Sequence, residues 1–422
     1  METATLSDLF REHWSRVLAN LIGYTRDLDL AEDCTQEAFA RAAAVPGDFG
    51  RVENPAAWLT TVGKRIAIDR IRRDAVLTAK LPMMLAGQDG DSDPTGDAAA
   101  SSLDEEDLDH DVDRIGDDRL RLVFVACHPS LGDEARLALA LRLVCGLSTA
   151  EIARVFLVAE ATMAARLTRA KQRVRSGSLP FALPDVRRLR DRLGSVRDAV
   201  YLFYTSAHAS PGSNEVIDRG VASAVSMSRA LVRLFPDDTE SLGLLALILL
   251  TEARRKGRIS ATGDPLALDE ADRTAWNREW INEGLALAAR ALPGGGRLAL
   301  QAGISGSHSA APDWASTPWP AIAALYERLV AQWPAPAARL GAIIADSWLP
   351  GADPERALSA IDELTAASPP MRRQLLAARG DILRRAGRHR EAIVAFDLAA
   401  REEPDAAVRA FLLRRVDESR AR

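Results

Sequence analysis

Leu147-Ser148-Thr149-Ala150-Glu151-Ile152-Ala153, followed after a short break by Ala161-Thr162-Met163-Ala164-Ala165-Arg166-Leu167-Thr168-Arg169-Ala170-Lys171, reads as two short helices joined by a tight turn. Gly146 closes a preceding apolar helix. Ser148 stands three residues before Glu151, the spacing at which a hydroxyl and a carboxylate cap each other's orphan backbone donors. A helix is therefore expected from about Thr149, with Ile152, Ala153 and Phe156 on its buried side and Leu157 to Glu160 as the turn. In the second helix Met163, Leu167, Ala170 and Val174 recur at i, i+4, i+7 and i+11 and make one core-facing stripe. Thr162, Arg166, Arg169 and Arg173 form the neighbouring stripe. From Glu160 to Arg175 five basic residues oppose one acidic residue, on a helix narrow enough to enter a DNA major groove. Alone, such a helix is as readily a solvated basic face; the capped helix and turn before it favour docking on DNA.

The rest of the chain places this segment in a larger plan. At 422 residues it is long enough for two or three domains, with apolar and charged fractions of 47% and 27%, those of an ordinary soluble protein. No apolar run reaches the roughly 18 residues of a bilayer span, and Met1 to Phe10 has no basic flank leading into an apolar stretch, so a cytoplasmic protein without a membrane partner is expected. Cys34, Cys127 and Cys145 are odd in number and far apart, which favours buried thiols over a disulfide or a metal site. Charge is segregated: −2 over 1–75, −11 over 76–118, +6 over 119–176 and +2 over the remainder, so two modules with basic surfaces flank an acidic stretch.

The first module, 1–75, is expected to be helical throughout. Phe10, Trp14, Val17, Leu18 and Leu21 mark one amphipathic helix. Asp29, with Glu32 three residues on, is read as the cap of a second helix whose inner stripe is Ala31, Cys34 and Ala38. After the break at Asn54-Pro55, a third helix carries Trp58, Leu59, Val62 and Ile66 inward and a second basic patch, Lys64, Arg65, Arg70, Arg72 and Arg73, outward. The span 76–118 is read as a flexible acidic linker, since from Ala86 to Gly116 it holds too little apolar surface to offset its ordering entropy. The module 119–176 contains the helix-turn-helix.

From 184 to 422 the chain repeats. Ile322, Ala357 and Ala392 are 35 apart, as are Tyr326, Ile361 and Phe396, then Leu329, Leu364 and Ala399, and Pro334, Pro369 and Pro404. The last copy resembles a tetratricopeptide helix pair, so an α-solenoid-like array is expected. Most of its six tryptophans, Trp276, Trp280, Trp314, Trp319, Trp333 and Trp348, are read as core. Pro293 to Gly296 and Ser305 to Pro320 are read as loops, with His308 a structural or solvated loop histidine rather than a catalytic one. Gly294 to Gly296 lacks the Gly-Lys-Ser/Thr ending of a phosphate loop. No paired carboxylates, metal-spaced His and Cys, or nucleophile with a base point to an enzyme, and no cofactor or metal is expected.

Two basic helical modules around an acidic linker resemble bacterial RNA polymerase sigma factors of the extracytoplasmic-function type, in the sigma-70 family. Three stretches carry the resemblance. Asp29-Leu30-Ala31-Glu32-Asp33-Cys34-Thr35-Gln36-Glu37-Ala38-Phe39 looks like the region 2 helix that docks on the polymerase clamp, which implies core polymerase contacts at Asp33, Gln36, Glu37 and Phe39. Asn54-Pro55-Ala56-Ala57-Trp58-Leu59 through Asp69-Arg70-Ile71-Arg72-Arg73 looks like the part that melts and reads the minus-10 element, implying Trp58, Lys64, Arg65, Asp69, Arg72 and Arg73. The helix-turn-helix is similar to region 4, which reads minus-35, implying Thr162, Arg166, Arg169, Lys171 and Arg173. Arg166 and Arg169 are expected at base edges, Lys171 and Arg173 at phosphates. Cationic groups beside Trp58 suit unstacked bases.

The C-terminal part resembles the tetratricopeptide-like extension of one subgroup, at Gly243-Leu244-Leu245-Ala246-Leu247, Asp272-Arg273 with Trp276, and Gln301-Ala302 with His308. It departs from the subgroup at Tyr204-Thr205-Ser206-Ala207 and Leu340-Gly341. The resemblance implies an all-α protein whose partners are core RNA polymerase and promoter DNA. It also implies regulation by the fused extension through intramolecular contact with the sigma regions. The alternative from the residues alone is a helix-turn-helix regulator with a repeat sensor domain that binds operators without polymerase. The Asp33 to Phe39 helix and the second basic patch separate the two, because a plain regulator has no use for either.

Overall fold

The computed structural model describes residues 6–25, 27–44, 52–85, 117–173, 189–209, 214–260 and 265–421. The acidic stretch 86–116, together with Val174 and Arg175, lies outside them. Regular structure within these residues is helical, apart from an isolated bridge between Ile259 and Pro265. The chain divides into two compact units, Met1–Ala230 and Leu231–Arg422.

The first unit opens with α1 (Leu6–Thr25), α2 (Leu28–Ala43) and α3 (Pro55–Leu85). Trp14, Val17, Leu18 and Leu21 of α1 are buried, as are Leu59 and Ile66 of α3. Helices α1 and α3 meet closely at Gly63, where a Cβ would stand 2.6 Å from Leu21 Cδ1. Asp27, not Asp29, caps α2: its Oδ1 accepts from the Leu30 N–H at 3.0 Å. Asp29 falls in the first turn instead, and Glu32 is buried on the α2 stripe. Helix α3 is capped by Asn54, whose Oδ1 accepts from the Ala57 N–H at 3.1 Å. It runs on to Leu85, into the span expected to be linker.

Next come α4 (Asp118–Ala126), α5 (Asp133–Cys145), α6 (Thr149–Val155) and α7 (Glu160–Arg173). Gly146 ends α5 with φ +64°, the left-handed geometry that a glycine adopts without strain. The box at α6 is complete: the Ser148 N–H donates to Glu151 Oε2 at 2.8 Å, and the Glu151 N–H donates to Ser148 Oγ at 3.2 Å. Ile152, Ala153, Met163 and Leu167 close one small core with Ala138 and Leu141 of α5. Two further helices, α8 (Leu193–Ala209) and α9 (Asn214–Leu234), follow, and α8 packs on α4 and α5.

The second unit is built around α10 (Thr239–Ala253), which is apolar on every side and buried from Ser241 to Leu250. Helices α11 (Arg278–Ala291) and α12 (Arg297–Ala310) enclose it. Gly243 allows α10 to lie directly on α12, since a Cβ there would sit 2.6 Å from the Ala299 backbone nitrogen. Then come α13 (Trp319–Gln332), α14 (Pro336–Asp346), α15 (Pro354–Ala367), α16 (Arg372–Arg385), α17 (His389–Glu402) and α18 (Ala406–Arg420). The helices starting at Trp319, Pro354 and His389 share the period seen in the sequence. The repeating apolar positions Ile322, Ala357, Ala392, Ile361, Phe396, Leu329, Leu364 and Ala399 are all buried.

The expected loop over 305–320 is a helix for its first six residues, so His308 is a helical residue. The small residues that suggest a loop there serve close packing instead. A Cβ on Gly306 would lie 3.2 Å from Leu285 Cδ2, and the Ser307 and Ser309 hydroxyls donate to the carbonyls four residues earlier.

Candidate nucleic-acid interface

The basic patch on α3 faces outward. Lys64, Arg65, Arg72 and Arg73 are exposed, as is Asp69, and Trp58 is half-buried one and a half turns before Lys64. Lys64 Nζ lies 5.6 Å from the Tyr24 ring centroid, which adds a second aromatic to the same surface. The side of α3 opposite the patch is core, with Ile66 and Ala67 buried. A helix that buries one stripe and lines the next with guanidiniums and ammonium groups beside aromatic faces matches what unstacked, phosphate-bearing strands require.

Helix α7 presents its second stripe beside the N-terminal turn of α5. Arg166, Arg169 and Arg173 line a recess of about 460 Å³ with Gly132, Asp133 and Glu134. Thr162 and Arg169 are exposed. Arg166 pairs with Glu134 at 2.6 Å and lies 6.0 Å from the Phe156 ring centroid, and an Arg173 Nη1 donates to the Ser130 carbonyl at 3.3 Å. Arg169 is exposed, and among the described residues its Nε donates to the Ala165 carbonyl of its own helix at 3.2 Å.

Lys171 stands elsewhere. Its Nζ is 2.5 Å from Glu32 Oε2 and 3.4 Å from Asp29 Oδ1, both on α2, while Arg142 of α5 reaches Glu32 Oε1 at 2.7 Å. The Glu32 side chain is only 4% exposed. Burial alone would raise its pKa, but Lys171 and Arg142 outweigh it and hold the carboxyl below the usual carboxylate range. Sequence reasoning assigned Glu32 to a cap and did not single out Arg142. The available signal was a carboxylate at i+4 from Leu28 on the buried α2 stripe, which requires a cationic partner from another element.

The first and second modules therefore meet. The Phe10, Trp14 and Phe39 rings cluster with centroids 4.6 to 6.3 Å apart, and a Cβ at Gly146 would sit 3.0 Å from the Phe10 ring. Arg119 donates through Nε to Ser15 Oγ at 2.9 Å. Among the residues expected to face polymerase, Asp33, Gln36 and Glu37 lie at the surface, Asp33 in an ion pair with Arg70 at 3.1 Å and Glu37 with Arg41 at 3.1 Å. Phe39 is 4% exposed, inside the aromatic cluster.

Residues of α8 and α9 also join this unit. Arg136 donates to Ser195 Oγ at 2.9 Å, Arg119 to Ser223 Oγ at 2.5 Å, and the Ser226 hydroxyl to Asp117 Oδ2 at 2.7 Å. The buried Arg192 donates to the Phe124 carbonyl at 2.8 Å. Cys127 is buried, and desolvation pushes its thiol up to about 12. Cys34 and Cys145 are raised for the same reason, so none of the three is poised as a thiolate. Among the described residues, no three His, Cys, Asp or Glu side chains converge to hold a metal ion, and no helix is long and apolar enough to cross a membrane.

An all-α chain with a helix-turn-helix, a second cationic helix and a helical-repeat extension is a two-module DNA-binding protein with a fused third part. Comparison with known proteins sharpens this class. Sigma-70 region 2 matches residues 9–76, Sigma-70, region 4 matches 121–174, and a family of unknown function, DUF6596, matches 192–292. The chain is 35% identical over 413 residues to an uncharacterized protein of Rhizobium meliloti (strain 1021), covering 95% of this chain and 93% of that one. It is 25% identical over 235 residues to the probable ECF RNA polymerase sigma factor SigI of Mycobacterium tuberculosis (strains CDC 1551 / Oshkosh and ATCC 25618 / H37Rv), covering 54% of this chain and 72% of the relative. No solved structure matches the chain. The chain belongs to the sigma-70 family, extracytoplasmic-function type, with a C-terminal extension.

Proposed function

We propose that this protein is a sigma factor that binds core RNA polymerase, directs promoter-specific initiation, and is regulated by its own C-terminal helical extension. The observation that carries the reading is the pair of separate outward cationic surfaces, Lys64 to Arg73 on α3 and Arg166 to Arg173 on α7, in one chain with the α2 helix. Surface one, with Trp58 and Tyr24, is assigned to the melted minus-10 strand. Surface two is assigned to duplex at minus-35, with Arg169 at a base edge and Arg173 at phosphate. The exposed edge of α2, Asp33, Gln36 and Glu37, is assigned to the polymerase clamp.

Lys171 and Phe39 do not face outward in this arrangement. The Lys171 contact with Glu32 gives the unit a closed state in which region 4 is held on region 2, while Phe39 is enclosed with Phe10 and Trp14 of α1. Promoter engagement at two sites requires that contact to open, and binding of core polymerase to α2 competes with it. The hydrogen bonds from α8 and α9 to Arg136, Arg119 and Asp117 give the extension a grip on the same region 4 helices, which supports regulation in cis.

The test is reconstitution with core polymerase, followed by run-off transcription over a promoter library. Specific transcripts that depend on the added chain are expected, together with co-elution of chain and core enzyme. Absence of both would leave an operator-binding regulator as the better account.

A further inference from the structure

The extension meets the sigma modules in two ways. Helix α8 is seated on the region 4 helices by packing and by buried polar groups. Leu202 lies against the core of the helix-turn-helix, Arg136 of α5 donates to Ser195 Oγ at 2.9 Å, and the buried Arg192 donates to the Phe124 carbonyl at 2.8 Å. Such contacts are costly to break, so α8 is a fixed part of that module.

Helix α9 brings hydroxyls instead. Ser223 and Ser226 are three residues apart and share one face of α9. Both meet the first turn of α4. Ser226 Oγ donates to Asp117 Oδ2 at 2.7 Å, while Asp117 Oδ1 caps α4 by accepting from the Arg119 and Leu120 N–H groups, each at 3.0 Å. Ser223 Oγ accepts from Arg119 Nη1 at 2.5 Å. The same guanidinium donates through Nε to Ser15 Oγ at 2.9 Å, and Ser15 of α1 is 1% exposed. One side chain at the start of α4 therefore bonds region 2 with one arm and the extension with another.

The surface that this bond helps to close carries a cost. Trp14, next to Ser15, is buried at the Gly146 turn of α5, and its indole Nε1 has no acceptor there. A buried donor left unpaired weakens the contact that buries it. Lys171 with Glu32 and Arg119 with Ser15 hold that contact shut from two places. A guanidinium presents its donors in a fixed fork, so an acceptor at one arm fixes where the other arm points. Ser223 thereby aims Nε at Ser15, and its loss loosens a bond between two other elements.

We infer that Arg119 is the positioning residue through which the extension restrains the sigma modules: α9 sets its guanidinium on Ser15, and the extension thereby favours the closed arrangement over engagement of DNA by α7. This gives regulation in cis a sign, with release of α9 as the activating step. The inference rests on the promoter-binding reading for what closure withholds, whereas the closure itself rests on the Ser15, Arg119 and Ser223 geometry.

The experiment uses the full-length chain labelled with 5-fluorotryptophan, its Trp14 fluorine resonance assigned with Trp14→Phe, and in parallel the affinity for a mixed-sequence DNA duplex. Three variants are compared with wild type: Arg119→Met, which keeps the stem and removes the fork; Ser223→Ala combined with Ser226→Ala; and Ser223→Thr, which keeps the acceptor. Wild type and Ser223→Thr are expected to share one Trp14 resonance and one affinity. Arg119→Met and the serine double variant are expected to give a solvent-exposed Trp14 resonance at unchanged helical circular dichroism. Both are expected to bind duplex about tenfold more tightly, since apparent affinity scales with the open fraction. A Trp14 resonance and duplex affinity that stay fixed in both overturn the proposal. So does a response to Arg119→Met with none in the serine double variant, because the extension then has no part in closure. Tighter duplex binding in released variants that form no holoenzyme with core polymerase keeps the restraint and removes the sigma reading. Promoter-specific transcription with Trp14 unmoved in every variant removes the restraint alone.

Discussion

Glu32 is the residue on which the closed first unit turns. A carboxylate with a 4%-exposed side chain, held by Lys171 at 2.5 Å and Arg142 at 2.7 Å, leaves two partly buried cations short of a counter-charge when it is removed, with Lys171 keeping Asp29 at 3.4 Å and Arg142 keeping the Leu147 carbonyl. Breaking a buried pair in this way typically costs about 3 to 5 kcal/mol. Glu32→Gln is therefore expected to lower the unfolding free energy of the first unit by several kcal/mol in urea titration. It is also expected to raise the affinity of the full chain for duplex DNA, because Lys171 becomes available to phosphate. Unchanged DNA affinity in Glu32→Gln would remove the proposed competition between α2 and DNA for Lys171.

Because the folded pKa of Glu32 lies below its unfolded value, its contribution is present above about 4.5 and is lost as pH falls through the folded pKa. His308 follows the same sign, at a higher pH. Its folded pKa of about 4 lies below the unfolded 6.5, so the unfolded chain takes up the proton first. The neutral imidazole stabilises the second unit fully above pH 6.5, and that contribution, about 3 kcal/mol at most, is lost as pH falls from 6.5 towards 4. Urea midpoints of wild type and His308→Gln measured across that window are expected to differ in slope. Parallel curves would show that His308 is not held neutral.

At the scale of elements, local sequence signals and tertiary close contacts divide the work. The helix-turn-helix was legible because its determinants are local: the Ser148 and Glu151 box, Gly146 at φ +64° and the stripe Met163, Leu167, Ala170 all sit within a few turns of one another. Ser148→Ala should cost about 1 kcal/mol, the usual worth of a lost N-cap, read as a lower melting temperature of the first unit. The repeat was legible for a related reason, since a fixed period places each apolar position in the same buried setting.

The start of α2 and the helix over 305–310 were not legible, because what decides them is distant in sequence. Spacing to Glu32 points to Asp29 as the cap, whereas the helix starts two residues earlier, at the buried Leu28, and is capped by Asp27. The Gly-Ser run of α12 is helical because α11 approaches it too closely for larger side chains. The same logic makes Gly243→Ala costly. Its Cβ would meet the Ala299 backbone at 2.6 Å, which no rotamer change relieves. A loss of about 1 to 3 kcal/mol is expected from overpacking, measured by thermal unfolding, with the first unit's signals unaffected.

At the scale of the whole molecule, both basic surfaces were readable from charge and periodicity, whereas the closure between them was not. Contacts such as Lys171 with Glu32 and Phe10 with Gly146 join residues more than a hundred positions apart, and no local pattern encodes them. For the same reason Phe39, legible as an apolar residue on α2, could not be placed inside the Phe10 and Trp14 cluster from sequence.

The central claim is that two separate cationic helices of one chain grip a promoter while polymerase is bound. Footprinting of a reconstituted holoenzyme, with permanganate detection of unpaired thymines, tests it most directly. Wild type is expected to protect the minus-35 region and to open the minus-10 region. Lys64→Ala with Arg65→Ala should keep the upstream protection and lose opening, while Arg169→Ala should lose the upstream protection. Opening that survives the α3 double variant, or an upstream footprint indifferent to Arg169, would contradict the account.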